Sequence, residues 1–438
     1  MKIDFQPLKK LFIMSFALAV LVAPGASAVA LAQPSKTVAQ EPLRQQLLNN
    51  LKLLIWSNPA DAQAVVKLRI HSGAAFDPQN KAGAMRLLAD NLLPDDAIKT
   101  FFAEELGGRI GVESNYDYIE ITATGKPESL LDILETVRNA VVNRQITAEN
   151  FKKTRDARIK LAREQIGANE SAADSVVRAR LFCEFFPYGR PADGTPETLE
   201  QIDRADLLGL RDRFLTADNA TLAIAGNIDQ KLALRAARQF FGAWQKADKP
   251  VPPTFRQPDA VDKTVLLVKQ PRVETAQIRF AARGATRAEA FAADIAAEIL
   301  ADRWRKTLPA DIRQTGFARH EANLLPGILI IGANLTNDSV EPVLSELQTA
   351  LQKILTAPAT AAEFETAKTT VVTKAESRLD ERQAMLESRL DVDTYKLNAP
   401  ADARAVALKD VQNLLDNWQK QTFAAVAVTQ SETNRQTN

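Results

Sequence analysis

The chain has 438 residues, 46% of them apolar and 25% charged, which is enough to bury sizeable cores in two domains of about 200 residues each. Lys and Arg number 55 against 54 Asp and Glu, so no basic or acidic field marks nucleic acid or a membrane surface as the main partner. The single cysteine, Cys183, excludes an internal disulfide, a Cys-type zinc finger and an iron–sulfur cluster; the only histidines, His71 and His320, lie too far apart for a His-x-x-x-His pair on one helix.

In chain order, residues 1–32 read as an export signal. Lys2, Lys9 and Lys10 precede an apolar stretch over 11–22, and Ala26-Ser27-Ala28 and Ala30-Leu31-Ala32 both satisfy the A-x-A cleavage pattern. That stretch is short for a bilayer, and no later segment approaches about 18 uninterrupted apolar residues. The expectation is a periplasmic or secreted protein without a stable membrane span.

Residues 33–246 form the expected first domain. Val66-Lys67-Leu68-Arg69-Ile70 alternates as a half-buried strand does. A helix is expected over 83–93, a strand over 118–124, an amphipathic helix over 127–142, a helical pair from Thr147, and a closing strand over 222–226. Residues 247–263, ADKPVPPTFRQPDAVDK, are rich in proline and charge without a period, which predicts a linker. Residues 264–438 then repeat the order, with strands over 265–268, 277–281 and 328–335 and a helix over 340–355. Thr360-Ala361-Ala362-Glu363-Phe364 resembles Thr147-Ala148-Glu149-Asn150-Phe151, and a last strand covers 423–428. Equivalent segments in the same order predict an α+β fold of two tandem homologous domains, each a sheet with helices on one face.

Four segments carry a family resemblance. Gly83-Ala84-Met85-Arg86-Leu87-Leu88-Ala89-Asp90-Asn91-Leu92-Leu93 resembles the G-x-A-H-[FL]-L-E-H-[ML]-L helix of the M16 metallopeptidases (pitrilysin, insulinase, mitochondrial processing peptidase). The stretch from Leu106-Gly107-Gly108 to Tyr118 is similar to their L-G-G-x-x-N-A-x-T-S-x-[DE]-Y strand, with Gly111 where Asn is frequent. Pro187-Tyr188-Gly189-Arg190-Pro191 with Gly194-Thr195 resembles H-P-Y-G-R-P-x-x-G-T, and Asp218-Asn219-Ala220-Thr221 resembles the P-D-N-A-T-L ending of their first domain. The resemblance implies half of a clamshell that closes with a second chain around an unfolded peptide.

The departures set the functional expectation. Two His one turn apart hold zinc in the family helix, and the Glu between them takes a proton from zinc-bound water. Arg86, Ala89 and Asp90 stand at those positions: a fixed cation, a side chain with no proton to exchange, and one carboxylate without a His companion. Glu164 is the nearest match to the family's third ligand and also reads as an exposed carboxylate on a charged helix. The resemblance therefore implies a non-catalytic subunit with no metal of its own, zinc being carried by a catalytic M16 partner with an intact H-x-x-E-H. Arg313, Arg319 and His320, in a segment similar to the family's second-domain L-R-E-x-x-G-x-x-Y, are candidates for substrate contact, because a guanidinium donates readily to peptide carbonyls and carboxylates. Gly111, on the strand that pairs with extended peptides in active relatives, is a fourth. The alternative is a peptide-binding or scaffold protein acting without a peptidase. No phosphate-binding Gly-rich loop and no G-x-S-x-G nucleophile turn is present.

Overall fold

The computed structural model describes residues 41–142, 144–167, 172–183, 185–247, 255, 258, 261–270, 273, 275–335, 340–378, 381–397 and 403–430. The expected signal over 1–32 lies outside them, as does most of the expected linker over 247–263. No helix among the described residues is long and apolar enough to cross a membrane.

The first half runs β1 (Leu43–Gln46), β2 (Lys52–Ser57), β3 (Ala64–Ile70), α1 (Ala84–Asp90), α2 (Asp96–Glu104), β4 (Arg109–Ser114), β5 (Ile119–Gly125), α3 (Leu130–Val141), α4 (Ala148–Gly167), α5 (Ala172–Phe182), α6 (Pro196–Glu200), α7 (Arg204–Phe214), β6 (Ala220–Gly226) and α8 (Gln230–Phe241). The second runs β7 (Val265–Gln270), β8 (Gln277–Arg283), α9 (Ala290–Thr307), β9 (Phe317–Glu321), β10 (Ile328–Asn334), α10 (Glu341–Thr356), α11 (Ala361–Arg378), α12 (Glu381–Tyr395), α13 (Leu408–Gln419) and β11 (Ala424–Gln430).

The strands form two mixed sheets, ordered β1-β2-β6-β3-β5-β4 and β7-β11-β8-β10-β9. Apart from β1, the two correspond strand for strand. β2 and β6 are parallel, as are β7 and β11, and every other pairing is antiparallel. The helix starts that resemble each other in sequence also behave alike. Thr147 Oγ1 accepts from the Asn150 N–H at 3.1 Å, and Thr360 Oγ1 accepts from the Glu363 N–H at 3.2 Å, so each hydroxyl satisfies an N–H that the first turn leaves free.

One face of each sheet packs on helices of its own half. Leu53, Val66, Leu68, Ile121, Leu222 and Ile224 meet α1, α3 and α8 across one core, while Ile278, Phe280, Leu329 and Ile331 meet α9, α10 and α13 across another. The opposite faces are covered by an exchange. From the first half, α5 lays Ala173, Val177 and Leu181, spaced at i, i+4 and i+8, onto Ile328, Ile330, Val426 and Val428. From the second, α12 sets Leu386 and Leu390 on Leu54, Trp56, Val65, Ala223 and Ala225.

This exchange corrects one expectation. β3 is not half-buried: Lys67 and Arg69, which the alternation assigns to solvent, are 2% and 1% exposed because α12 covers them. Lys67 Nζ donates to Glu120 on β5 at 2.7 Å and to Glu387 on α12 at 3.3 Å, while Arg69 Nε donates to Glu120 at 2.6 Å and its Nη1 to Asp391 on α12. α5 stops at Phe182, and Cys183 takes a left-handed conformation at φ 55°, half-buried. The helix expected over 83–93 is shorter than that, seven residues long.

Candidate functional site

The site grows from the N-terminus of α1. Gly83 has φ 92°, a conformation that suits glycine, and a Cβ there would lie 2.9 Å from the Asp193 carbonyl oxygen and the Gly194 Cα. The missing side chain lets α1 start against the 193–194 turn. Asp77 anchors that start by accepting from the Gly83 and Met85 N–H groups, both at 2.7 Å; burial pushes its carboxyl up to about 7 even though both donors favour the charged form. Met85, Leu87, Leu88 and Ala89 turn into the core, which leaves Arg86 and Asp90, one turn apart, on the open side.

Asp90 is held by α4. Arg158 Nη2 donates to Asp90 Oδ1 at 2.8 Å and to Oδ2 at 2.7 Å, with Nε adding a bond to Oδ2 at 3.0 Å. This fork engages both carboxylate oxygens. Arg86 Nε lies 3.3 Å from Asp90 and 3.7 Å from Asp193, and neither of its Nη groups hydrogen-bonds to a described residue.

A zinc ion does not fit this arrangement. Ala89 offers no donor atom, Asp90 is committed to a guanidinium, and Arg86 places a permanent positive charge where a cation would sit. Glu164 lies six residues beyond Arg158 on α4, about 9 Å further along a helix axis. It is exposed and paired with Lys160 at 4.0 Å. Among the described residues, no group of three His, Cys, Asp or Glu is placed to hold a metal ion.

Beside α1 runs β4, the last strand of its sheet, with no described strand on its outer side. Gly111 sits mid-strand, and a Cβ built on it would meet nothing within 4 Å. β9 holds the equivalent edge of the second sheet. Arg319 lies on its α5 side, half-exposed, donating to Asp174 of α5 at 2.5 Å, with its guanidinium 5.5 Å from the Phe317 ring centroid. His320 points to the opposite side and is sealed there. Its Nε2 accepts from the Ala285 N–H at 3.0 Å, so Nδ1 carries the proton toward Asp294 Oδ1, 3.4 Å away. Sealed in this way, His320 is out of reach of a ligand on the α5 side. Arg313 lies in the turn before β9, with Nη2 3.5 Å from the Leu308 carbonyl, and no described contact joins it to Arg319.

Residues 201–371 match the family model described as the peptidase M16 inactive domain. The chain also overlays on the crystal structure of a peptidase M16 inactive domain from Pseudomonas fluorescens, with TM-score 0.75 and 16% identity over 90% of this chain and 98% of that one. The chain is M16-like. A second solved structure, the first half of the periplasmic protease PqqL from Escherichia coli, aligns over 90% of this chain and 92% of that one at TM-score 0.63 and 15% identity. An uncharacterized zinc protease of Rickettsia bellii is 22% identical over 216 residues, which cover 47% of this chain and 50% of the relative. The chain thus spans about half the length of the curated relatives it matches.

The remaining M16-type motifs are fastenings in this chain. Arg190 Nη1 donates to the Asp77 carbonyl at 3.0 Å, and Tyr116 Oη donates to the Arg190 carbonyl at 2.7 Å, tying the loop that precedes α1 to the 187–191 segment. Tyr188 Oη donates to Asp117 at 2.7 Å. The other oxygen of Asp117 accepts from Arg287 at 3.1 Å and from the Leu324 N–H at 2.9 Å, so one carboxylate bolts the first half to the second. The aspartate and tyrosine were visible in the M16-like segments, but their partners Arg287 and Leu324, far along the chain, were not.

His71, one residue beyond β3, has no catalytic setting. Its Nε2 lies 3.0 Å from Thr221 Oγ1 and its ring meets Tyr395 of α12 edge-on at 5.7 Å. Burial, then the charges of Lys52 and Arg69, push its pKa down to about 3, so the imidazole is neutral in the fold.

Proposed function

We propose that this M16-like chain is the non-catalytic subunit of a heterodimeric zinc peptidase. It completes the peptide chamber and holds extended peptides while the zinc and the hydrolytic water belong to a partner chain with an intact H-x-x-E-H. The observation that carries this reading is the filled site on α1. A salt-bridged Arg86–Asp90–Arg158 cluster occupies the positions that resemble the zinc helix, beside a strand with no described strand on its outer side. Burial of Met85, Leu87, Leu88 and Ala89 and the Asp77 bonds to the Gly83 and Met85 N–H groups hold α1 without a metal, while a strand with no described neighbour on its outer side offers main-chain groups to an extended peptide. Arg319 and Arg313 lie on or next to the corresponding edge of the second sheet and supply further contacts for peptide carbonyls or carboxylates. The positive start, apolar stretch and small-residue sites of 1–32 support export to the periplasm or beyond.

The test is the composition of the native complex, isolated through a C-terminal tag and measured by light scattering and peptide mapping. The expected result is a one-to-one complex with a similar-sized chain bearing H-x-x-E-H. A monomer or a homodimer alone contradicts the heterodimer and favours a peptide-binding or scaffold protein.

A further inference from the structure

Arg86 differs from the cations around it. Arg158 donates through Nε and Nη2 to Asp90, Arg163 donates to Glu200 at 2.8 Å, and Arg190 and Arg204 donate to backbone carbonyls. Arg86 Nε lies within ion-pair distance of Asp90, at 3.3 Å, and of the half-exposed Asp193, at 3.7 Å, but hydrogen-bonds to neither, and its two Nη groups hydrogen-bond to no described residue. The side chain is 23% exposed, partly withdrawn from water yet reachable. With both oxygens of Asp90 engaged by Arg158, a ligand carboxylate competes for Arg86 only with the half-exposed Asp193, 3.7 Å from its Nε and without a hydrogen bond to it.

The neighbourhood decides what kind of ligand can use it. α1 lies against β4 on the face of the sheet where Ile110 is buried, and no described strand pairs with the outer edge of β4. A chain added to that edge alternates its side chains between the two faces at period 2. Every second side chain of such a peptide would therefore project on the α1 side. We infer that Arg86 is a specificity residue that selects an extended peptide carrying a side-chain carboxylate at the position facing α1, with a guanidinium–carboxylate pair in place of a metal–carbonyl contact. Such a pair is directional and charge-assisted, so it fixes register as well as affinity. It cannot activate water, and the peptide bond beside it is held rather than cut.

This inference rests on the peptide-binding part of the reading above, and the experiment separates the two. The purified chain is titrated with short extended peptides, acetylated and amidated so that no terminal charge remains, carrying one Asp scanned along otherwise neutral sequences. Matched peptides carry Asn instead, and binding is read by fluorescence anisotropy. The expected result is that one register prefers Asp over Asn by about 10-fold, the scale of one charge-assisted bond. In Arg86→Gln that preference falls below about 2-fold while the Asn peptide binds as before, and Arg86→Lys keeps part of it, showing that charge and not packing is responsible. Equal binding of Asp and Asn peptides at every register, or a preference that survives in Arg86→Gln, overturns the role of Arg86 and leaves peptide binding standing. Failure of every peptide to bind overturns both. Urea unfolding of each variant shows that it is folded when tested.

Discussion

Replacing Glu120 by alanine is expected to lower the free energy of unfolding by about 3–5 kcal/mol, a large part of the roughly 5–15 kcal/mol that keeps a protein of ordinary stability folded. Glu120 joins two cations that the fold has taken out of water, Lys67 at 2.7 Å and Arg69 at 2.6 Å, and all three residues are nearly sealed. Burial opposes the charge on Glu120, but Arg69 and then Lys67 outweigh it and hold the carboxyl below the usual carboxylate range. Without that carboxylate, both cations remain inside with only the partners α12 brings to its margin, Glu387 and Asp391. The penalty is that of uncompensated buried charge, not the small worth of a surface ion pair. Urea unfolding at neutral pH gives the difference directly, and a loss below about 1 kcal/mol contradicts the account of this network.

The same cluster sets the response to acid. Glu120 has a depressed folded pKa, so its contribution is present above its unfolded value of 4.5 and is lost as the pH falls through its folded value. His71 adds an earlier loss. The unfolded chain binds a proton on His71 below 6.5, whereas the folded one refuses it until about 3, so the His71 contribution declines as the pH falls across that window, opposed by Asp77, whose raised carboxyl takes its proton in the folded state first, between about 7 and 3.8.

Phe182→Ala is expected to cost about 3–5 kcal/mol, whereas Phe185→Ala, three residues on, is expected to change stability by less than about 0.5 kcal/mol. Phe182 is 1% exposed at the end of α5. It stacks on Phe186 at 5.3 Å, meets Tyr188 edge-on at 6.2 Å, and belongs to the cluster with which the first half covers the second sheet. Truncation leaves a cavity where α5 is fastened, walled by rings that cannot collapse freely because Tyr188 is also tied to Asp117. Phe185 is 58% exposed and outside that cluster. The contrast between two phenylalanines in one short segment tests the exchanged-helix packing without a change of chemistry. Equal effects for the two variants would show that α5 is not seated as described.

The two-fold repetition of elements was legible in the sequence because strand periodicity and the Thr147/Thr360 helix starts are local signals. The exchange of α5 and α12 was not. α12 reads as a solvated helix, since Glu387, Arg389, Asp391 and Asp393 fall among its few apolar residues, and Lys67 and Arg69 read as the wet side of β3. Lys67 and Arg69 are buried because α12 covers them, with its own charges left part-exposed, and no window of one segment contains that information. β2 was missed although Leu53, Leu54, Ile55 and Trp56 form a short apolar run between asparagine-marked turns, the signal of a strand buried on both faces. At the site, the identities of Arg86, Ala89 and Asp90 were plain from sequence. That Arg158 engages Asp90 required the crossing of α1 and α4, and the sealing of His320 required its neighbour at Ala285.

On the proposed function, this chain supplies peptide contacts and no metal chemistry. The zinc content of the purified chain, expressed with zinc supplied and measured by mass spectrometry against protein concentration, tests it most directly. The account predicts far less than one zinc per chain, unchanged in Asp90→Asn and Glu164→Gln. One zinc per chain, lost in either variant, would contradict it and return Asp90 and Glu164 to the role of ligands.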